Sequence, residues 1–175
     1  MERNYTFCAG PSTLPEAVLK QAQSELLNWH GFGASVMELS HRSKAFEEVV
    51  IQCEQNIRTL LSIPENYKVV FLQGGAYAQF SMIPLNILGN HTQIDMIETG
   101  IWSNKAVKAM QKYANVNVIA STKDSQFRTL PEQNALKFSE NSAFVHYCDN
   151  ETINGVEFNY AVTNDQSPVV VDMSS

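Results

Sequence analysis

Short apolar runs rich in β-branched and aromatic residues alternate along this chain with stretches whose apolar residues recur at helical spacing, and that alternation limits the fold more than any other feature. The runs are Lys68–Leu72, Ile94–Ile97, Val116–Ile119, Ala143–Val145 and Val169–Val171, each predicted as a strand. Ala76–Leu88 and Ser103–Tyr113 lie between them and read as helices. Two more helices precede the first strand. One opens at Thr13-Leu14-Pro15-Glu16, a capping box with proline in the first turn, and carries Val18, Leu19, Ala22, Leu26 and Leu27 before Gly31 and Gly33. The other places Phe46, Val49, Val50, Cys53, Ile57, Leu60 and Leu61 on one face, so Cys53 reads as a buried small hydrophobe. Asn154-Gly155 marks a hairpin turn. Strands separated by helices predict an α/β fold of three layers, αβα, around a mostly parallel sheet covered on both faces. Such sheets bind ligands beyond the carboxyl ends of their strands, so chemistry is sought just after each run.

Composition removes several classes of function. The net charge is −6 and the lysines and arginines are scattered singly, which argues against nucleic acid as a partner. An anionic ligand then has to be gripped by a few placed cations or by backbone amides. No stretch approaches the ~18 apolar residues of a membrane span, and the first residues carry no apolar signal region, so the cytoplasm is the expected compartment. The three cysteines, Cys8, Cys53 and Cys148, match no zinc spacing, and no metal site is expected.

The candidate residues sit at the junctions. Gly74-Gly75-Ala76-Tyr77 follows one strand and opens a helix, where free N–H groups and the helix dipole suit a phosphate; taken alone it also fits a plain strand-to-helix turn. Its spacing is neither G-x-G-x-x-G nor that of a P-loop. Asp172 closes a three-valine run, placed to pair with a cationic ring nitrogen or to cap or salt-bridge locally; no partners at ligand spacing support a metal. Trp102 is either a plate for an aromatic cofactor or a core indole. The Thr152 hydroxyl can serve a phenolate oxygen or the local backbone. His41-Arg42 precede a helix, and arginine is the bidentate partner of carboxylate or phosphate when it is not simply solvated. His30, His91 and His146 are isolated and receive no role. Together, a phosphate cradle, an aromatic plate, a hydroxyl and a carboxylate are the parts that hold pyridoxal phosphate.

The order of these residues resembles the phosphoserine aminotransferases, fold-type-I pyridoxal-phosphate enzymes, over Phe7 to Ser175. The marks are Phe7-Cys8-Ala9-Gly10-Pro11, Ser35-Val36-Met37-Glu38-Leu39-Ser40-His41-Arg42, Gln79-Phe80 with Pro84-Leu85-Asn86, Gly100-Ile101-Trp102, His146-Tyr147-Cys148, Asn150-Glu151-Thr152-Ile153-Asn154-Gly155 and Asp172-Met173-Ser174-Ser175. The resemblance implies that the amides of Ala76 and Tyr77 bind the cofactor phosphate, that Trp102 stacks on the ring, that Thr152 bonds its 3′-oxygen and that Asp172 holds its nitrogen protonated. It implies that Arg42 binds the substrate carboxylate, with His41 and the backbone at Ala9 beside it. The implied reaction moves an amino group between glutamate and 3-phosphohydroxypyruvate, giving O-phosphoserine and 2-oxoglutarate for serine and, in bacteria, pyridoxine synthesis, in a homodimer. Another fold-type-I enzyme, such as a small-substrate aminotransferase or a cysteine desulfurase, and a non-catalytic phosphate-binding piece are the alternatives.

Two departures stand out. Tyr77 occupies a position where many relatives carry arginine, keeping the amide and losing a charge; Ala76 replaces the usual glycine. The lysine that forms the Schiff base is expected downstream of Ser175. On that expectation, residues 1–15 are an arm near the active site, residues 16–175 are the N-terminal portion of the cofactor-binding large domain, and this piece by itself is inactive.

Overall fold

Ser142–Cys148 forms the strand β3, buried along its whole length. A strand covered on both faces must be apolar without interruption, and Ala143-Phe144-Val145 supplies its centre. We number the elements in chain order: β1 (Gln93–Glu98), β2 (Asn115–Ser121), β4 (Asn150–Glu151), β5 (Val156–Glu157) and β6 (Val169–Asp172), with helices α1 (Glu16–Glu25), α2 (Lys44–Leu61), α3 (Gly75–Ile87) and α4 (Ile101–Met110). β3 pairs in parallel with β1 and β6, and β1 pairs with β2, so the sheet runs β2-β1-β3-β6. The computed structural model describes residues 3–175, and the chain divides into two units, Met1–Phe71 and Leu72–Ser175.

In the C-terminal unit, side chains alternate across the sheet. Ile94, Met96 and Phe144 pack with Phe80 of α3 and Ala106, Val107 and Met110 of α4 on one face. Ile97, Val145 and Tyr147 pack on the other with Leu136, Phe158 and Val162, which come from irregular chain rather than from a helix. The fully buried Asp95 of this unit is well paired: it accepts from the Ser139 N–H at 2.6 Å, the Ser139 hydroxyl at 2.8 Å and Asn117 at 3.1 Å. Asn154-Gly155 joins the antiparallel β4–β5 pair, with Gly155 at φ 70°, as its turn chemistry predicts.

Lys68–Leu72 departs from expectation. It pairs with no strand, and Val70, Phe71 and Leu72 are each more than half exposed. β propensity measures fit to a half-buried pleated surface, and without a neighbouring ladder it builds no strand.

In the N-terminal unit Ser35 is the single buried residue among those described. Its hydroxyl accepts the Met37 N–H at 3.3 Å while Glu38 accepts the Ser35 N–H at 2.8 Å, a capping box on the short turn Val36–Glu38. The box expected at Thr13 does not form. Pro15, at ψ 136°, is the N-cap and α1 starts after it, which leaves Thr13 too far upstream to reach the free N–H groups. α2 starts where the Ser43 hydroxyl accepts the Phe46 N–H at 3.3 Å. Its apolar stripe is real but uncovered: Leu60 and Leu61 are exposed, and so is Cys53, contrary to the buried position expected. No described helix is long and apolar enough to cross a membrane.

Candidate functional site

A cleft of about 340 Å³ opens in the C-terminal unit beside the end of β6, lined by Ala76, Gln79, Phe80, His146, Asp172 and Ser174 among others. That volume lies within the ~300–1,000 Å³ of small-molecule sites. It is where a parallel sheet is expected to hold a ligand.

One wall is the start of α3. Gly74 is its N-cap at φ 98°, a conformation that favours glycine, and a Cβ there would lie 2.5 Å from the Ala78 Cβ. The first intrahelical bond runs from the Ala78 N–H to the Gly74 oxygen at 3.3 Å. The N–H groups of Gly75, Ala76 and Tyr77 therefore have no acceptor within the helix, as at any helix start. Amides at the positive end of a helix suit a phosphate.

The start of α4 is held differently. Glu151, fully buried, accepts the Trp102 N–H at 2.8 Å and the Ser103 N–H at 2.7 Å, one on each carboxylate oxygen. Asn154 accepts the Ile101 N–H at 3.2 Å. These bonds occupy the first-turn amides with a protein carboxylate, so this helix start is closed to an outside anion. They also fix Trp102, whose indole N–H donates to the Thr152 hydroxyl at 3.0 Å. Having accepted that bond, Thr152 keeps its own O–H to donate elsewhere. The Tyr77 ring meets Trp102 edge-on at 6.3 Å. A cation is present beside the altered position: the Lys105 ammonium lies 4.5 Å from the Trp102 ring centre and 5.2 Å from that of Tyr77.

Asp172 is gripped from its own chain and from β3. Its Oδ1 accepts both the N–H (3.1 Å) and the hydroxyl (2.5 Å) of Ser174, and its Oδ2 accepts the Cys148 thiol at 3.5 Å. A carboxylate offers about four lone-pair sites, so one on Oδ2 remains for a further donor. Burial, with the Asp172 and Glu151 carboxylates nearby, pushes the Cys148 thiol far up and keeps it a neutral donor.

The five residues expected to hold a cofactor, Ala76, Tyr77, Trp102, Thr152 and Asp172, all lie in the C-terminal unit. Ala76 and Asp172 share the cleft, and Trp102 and Thr152 are bonded to each other. Ala9, His41 and Arg42 lie in the N-terminal unit, all three exposed. Arg42 sits in a turn closed by the Ser43 hydroxyl on the Ser40 oxygen at 2.8 Å, and its N–H donates to the Ser40 hydroxyl at 3.2 Å.

Three residues of this region escape sequence reasoning. Glu151 and Cys148 act on partners 49 and 24 positions away, distances at which no periodic pattern reports contact. His146 faces the cleft from β3, which only the strand's register reveals.

Comparison with known proteins matches this arrangement. The aminotransferase class-V family profile covers residues 4–175. The phosphoserine aminotransferase of Pseudomonas syringae pv. syringae (strain B728a) is 53% identical over 174 residues, which are 99% of this chain and 48% of that protein. A solved phosphoserine aminotransferase superposes with TM-score 0.94 at 40% identity, covering 99% of this chain and 48% of the other. The pyridoxal-phosphate-bound phosphoserine aminotransferase from Trichomonas vaginalis gives 0.89 at 38% identity, covering 97% of this chain and 50% of that one. The sheet and its helices thus have the fold-type-I architecture expected, and the chain spans about half the length of the relatives it matches. With the family profile covering nearly all of its residues, this chain belongs to the class-V aminotransferases, the pyridoxal-phosphate family that includes the phosphoserine aminotransferases.

Proposed function

We propose that the full-length protein is a phosphoserine aminotransferase, moving an amino group between glutamate and 3-phosphohydroxypyruvate to give O-phosphoserine and 2-oxoglutarate. The observation that carries this is Asp172. Its carboxylate is oriented by three donors, keeps one lone pair, and lines a cleft whose wall includes Ala76 at the open start of α3. An acceptor for a cationic ring nitrogen and a cradle for a phosphate are the two ends of one cofactor, and these residues fit pyridoxal phosphate.

On this reading each residue has a defined task. The N–H groups of Ala76 and Tyr77 bind the phosphate. Trp102, held by Glu151 and Thr152, presents its indole as a plate for the ring, and the free Thr152 O–H donates to the ring's phenolate oxygen. Asp172 holds a proton on the ring nitrogen by accepting from it. Bound there, pyridoxal phosphate supplies a sink for the electrons left when the substrate's α-proton departs. Lys105 offers a positive charge near the phosphate end, where Tyr77 has none to give. Arg42, with His41 and the backbone at Ala9, binds the amino acid's carboxylate.

The remaining parts of the reading concern the whole protein. The lysine that anchors the cofactor belongs to the half of the relatives' length that this chain does not span, and this stretch alone is then inactive. Residues 1–15 form an arm near the site, and residues 16–175 the first part of the cofactor-binding domain. The protein works in the cytoplasm as a homodimer, in serine and pyridoxine synthesis. Assaying the full-length protein with glutamate and 3-phosphohydroxypyruvate tests the central claim. Turnover of these two is expected; turnover of alanine or cysteine in their absence, with none of the phosphorylated oxo-acid, rejects it in favour of another member of the fold type.

A further inference from the structure

His146 is the least satisfied group in the C-terminal unit. It is fully buried, and neither Nδ1 nor Nε2 has a hydrogen-bond partner. Buried polar groups are almost always paired, so one left open at a cleft points to a partner that arrives with the ligand. Its surroundings in the strands give it none. On β3 it stands opposite Met96 of β1 and Val170 of β6, and the edge of Phe80 from α3 meets its ring at 5.9 Å.

The titratable groups that face it are two: Asp172 on β6, one step further along the same face, and Cys148 on its own strand. Cys148 already donates to Asp172. Burial lowers the His146 pKa to about 4, with the Asp172 carboxylate pulling the other way, so near neutral pH the ring has one N–H to give. Ring and carboxylate line the same cleft. Ser174 and Cys148 already donate to Asp172, and His146 is an unpaired ring in the same cleft lining.

We propose that His146 is the positioning residue of Asp172: with the cofactor ring seated, the imidazole N–H takes the place of the 3.5 Å Cys148 thiol as a donor to Asp172 Oδ2, directly or across one water, and leaves that oxygen's other lone pair turned toward the ring nitrogen. The proposal rests on the pyridoxal-phosphate reading above and adds a residue to it. The competing account is that His146 merely fills space against Phe80, a task phenylalanine does as well.

The test uses the full-length protein with ¹⁵N-labelled histidine, as parent, His146→Phe, His146→Gln and Asp172→Asn. Adding pyridoxal phosphate to the parent is expected to settle His146 into one tautomer with a slowly exchanging N–H signal, absent in Asp172→Asn. Half-saturation by pyridoxal phosphate, read from its visible band, is expected to rise about tenfold in His146→Phe, the order of one hydrogen bond to a charged group. It should rise less than about threefold in His146→Gln, which retains a donor. A His146 signal that ignores the cofactor, or a His146→Phe variant that binds like the parent, overturns the proposal; the signal in the parent decides even if that variant fails to fold. A parent with no cofactor band at all sinks the functional reading itself, and this proposal with it.

Discussion

Replacing Glu151 with glutamine removes one negative charge and changes no volume, yet it should loosen the element that carries Trp102. Both carboxylate oxygens are committed, to the Trp102 N–H at 2.8 Å and the Ser103 N–H at 2.7 Å, at zero exposure. Glutamine keeps one acceptor and turns an NH₂ toward the other amide, so one charge-assisted bond is lost and a buried N–H faces a donor. That loss is about 1.5–3 kcal/mol, and removing the charge from the positive end of α4 adds about 0.3–1 kcal/mol. We therefore expect Glu151→Gln to destabilise by roughly 2–4 kcal/mol, read by urea unfolding with an unchanged denaturant slope, and to weaken the near-ultraviolet signal of Trp102. Gly100→Ala attacks the same contact from the other side. Its φ of 178° is ordinary extended backbone, but the new Cβ would lie 2.5 Å from Glu151 Oε2. Since both substitutions act through one carboxylate, the double variant should cost clearly less than the sum of the singles. A Glu151→Gln loss below about 0.5 kcal/mol, or strict additivity with Gly100→Ala, would refute the claim that Glu151 holds this helix.

Three further outcomes follow from the same geometry. His146 has a pKa lowered from 6.5 to about 4 by burial, so the unfolded chain binds the extra proton first. Stability is then complete above about pH 6.5 and falls as pH drops toward 4, by about 3 kcal/mol in all; His146→Phe should flatten that slope, and an unchanged slope would mean the ring is already wet or paired. Gly74→Ala forces a side chain into φ 98° and against Ala78, and should cost at least about 2 kcal/mol; near-neutral unfolding data would show that the turn relaxes freely. The uncovered stripe of α2, with Leu60 and Leu61 exposed, should make the isolated 175-residue chain self-associate in light scattering, and a monodisperse, stable monomer would count against it.

Much of this protein is written locally. Helical spacing marks α1 to α4 to within a few residues, the apolar runs mark β1, β2, β3 and β6, and Asn154-Gly155 sets the hairpin between β4 and β5. The glycine pair at the start of α3 and the carboxylate that closes β6 were legible for a shared reason: each ends an apolar run, where the chain's own punctuation shows. Local pattern failed where a partner was needed. Lys68–Leu72 has the composition of a strand and no ladder to join, and Cys53 lies on a stripe that nothing covers. Tertiary structure alone decided that Glu151 caps α4, that Cys148 donates to Asp172 and that His146 faces the same cleft. Periodicity describes neighbours three or four positions apart, whereas these groups meet through strand register and a loop's return, and each is paid for or left unpaired only once the sheet has assembled.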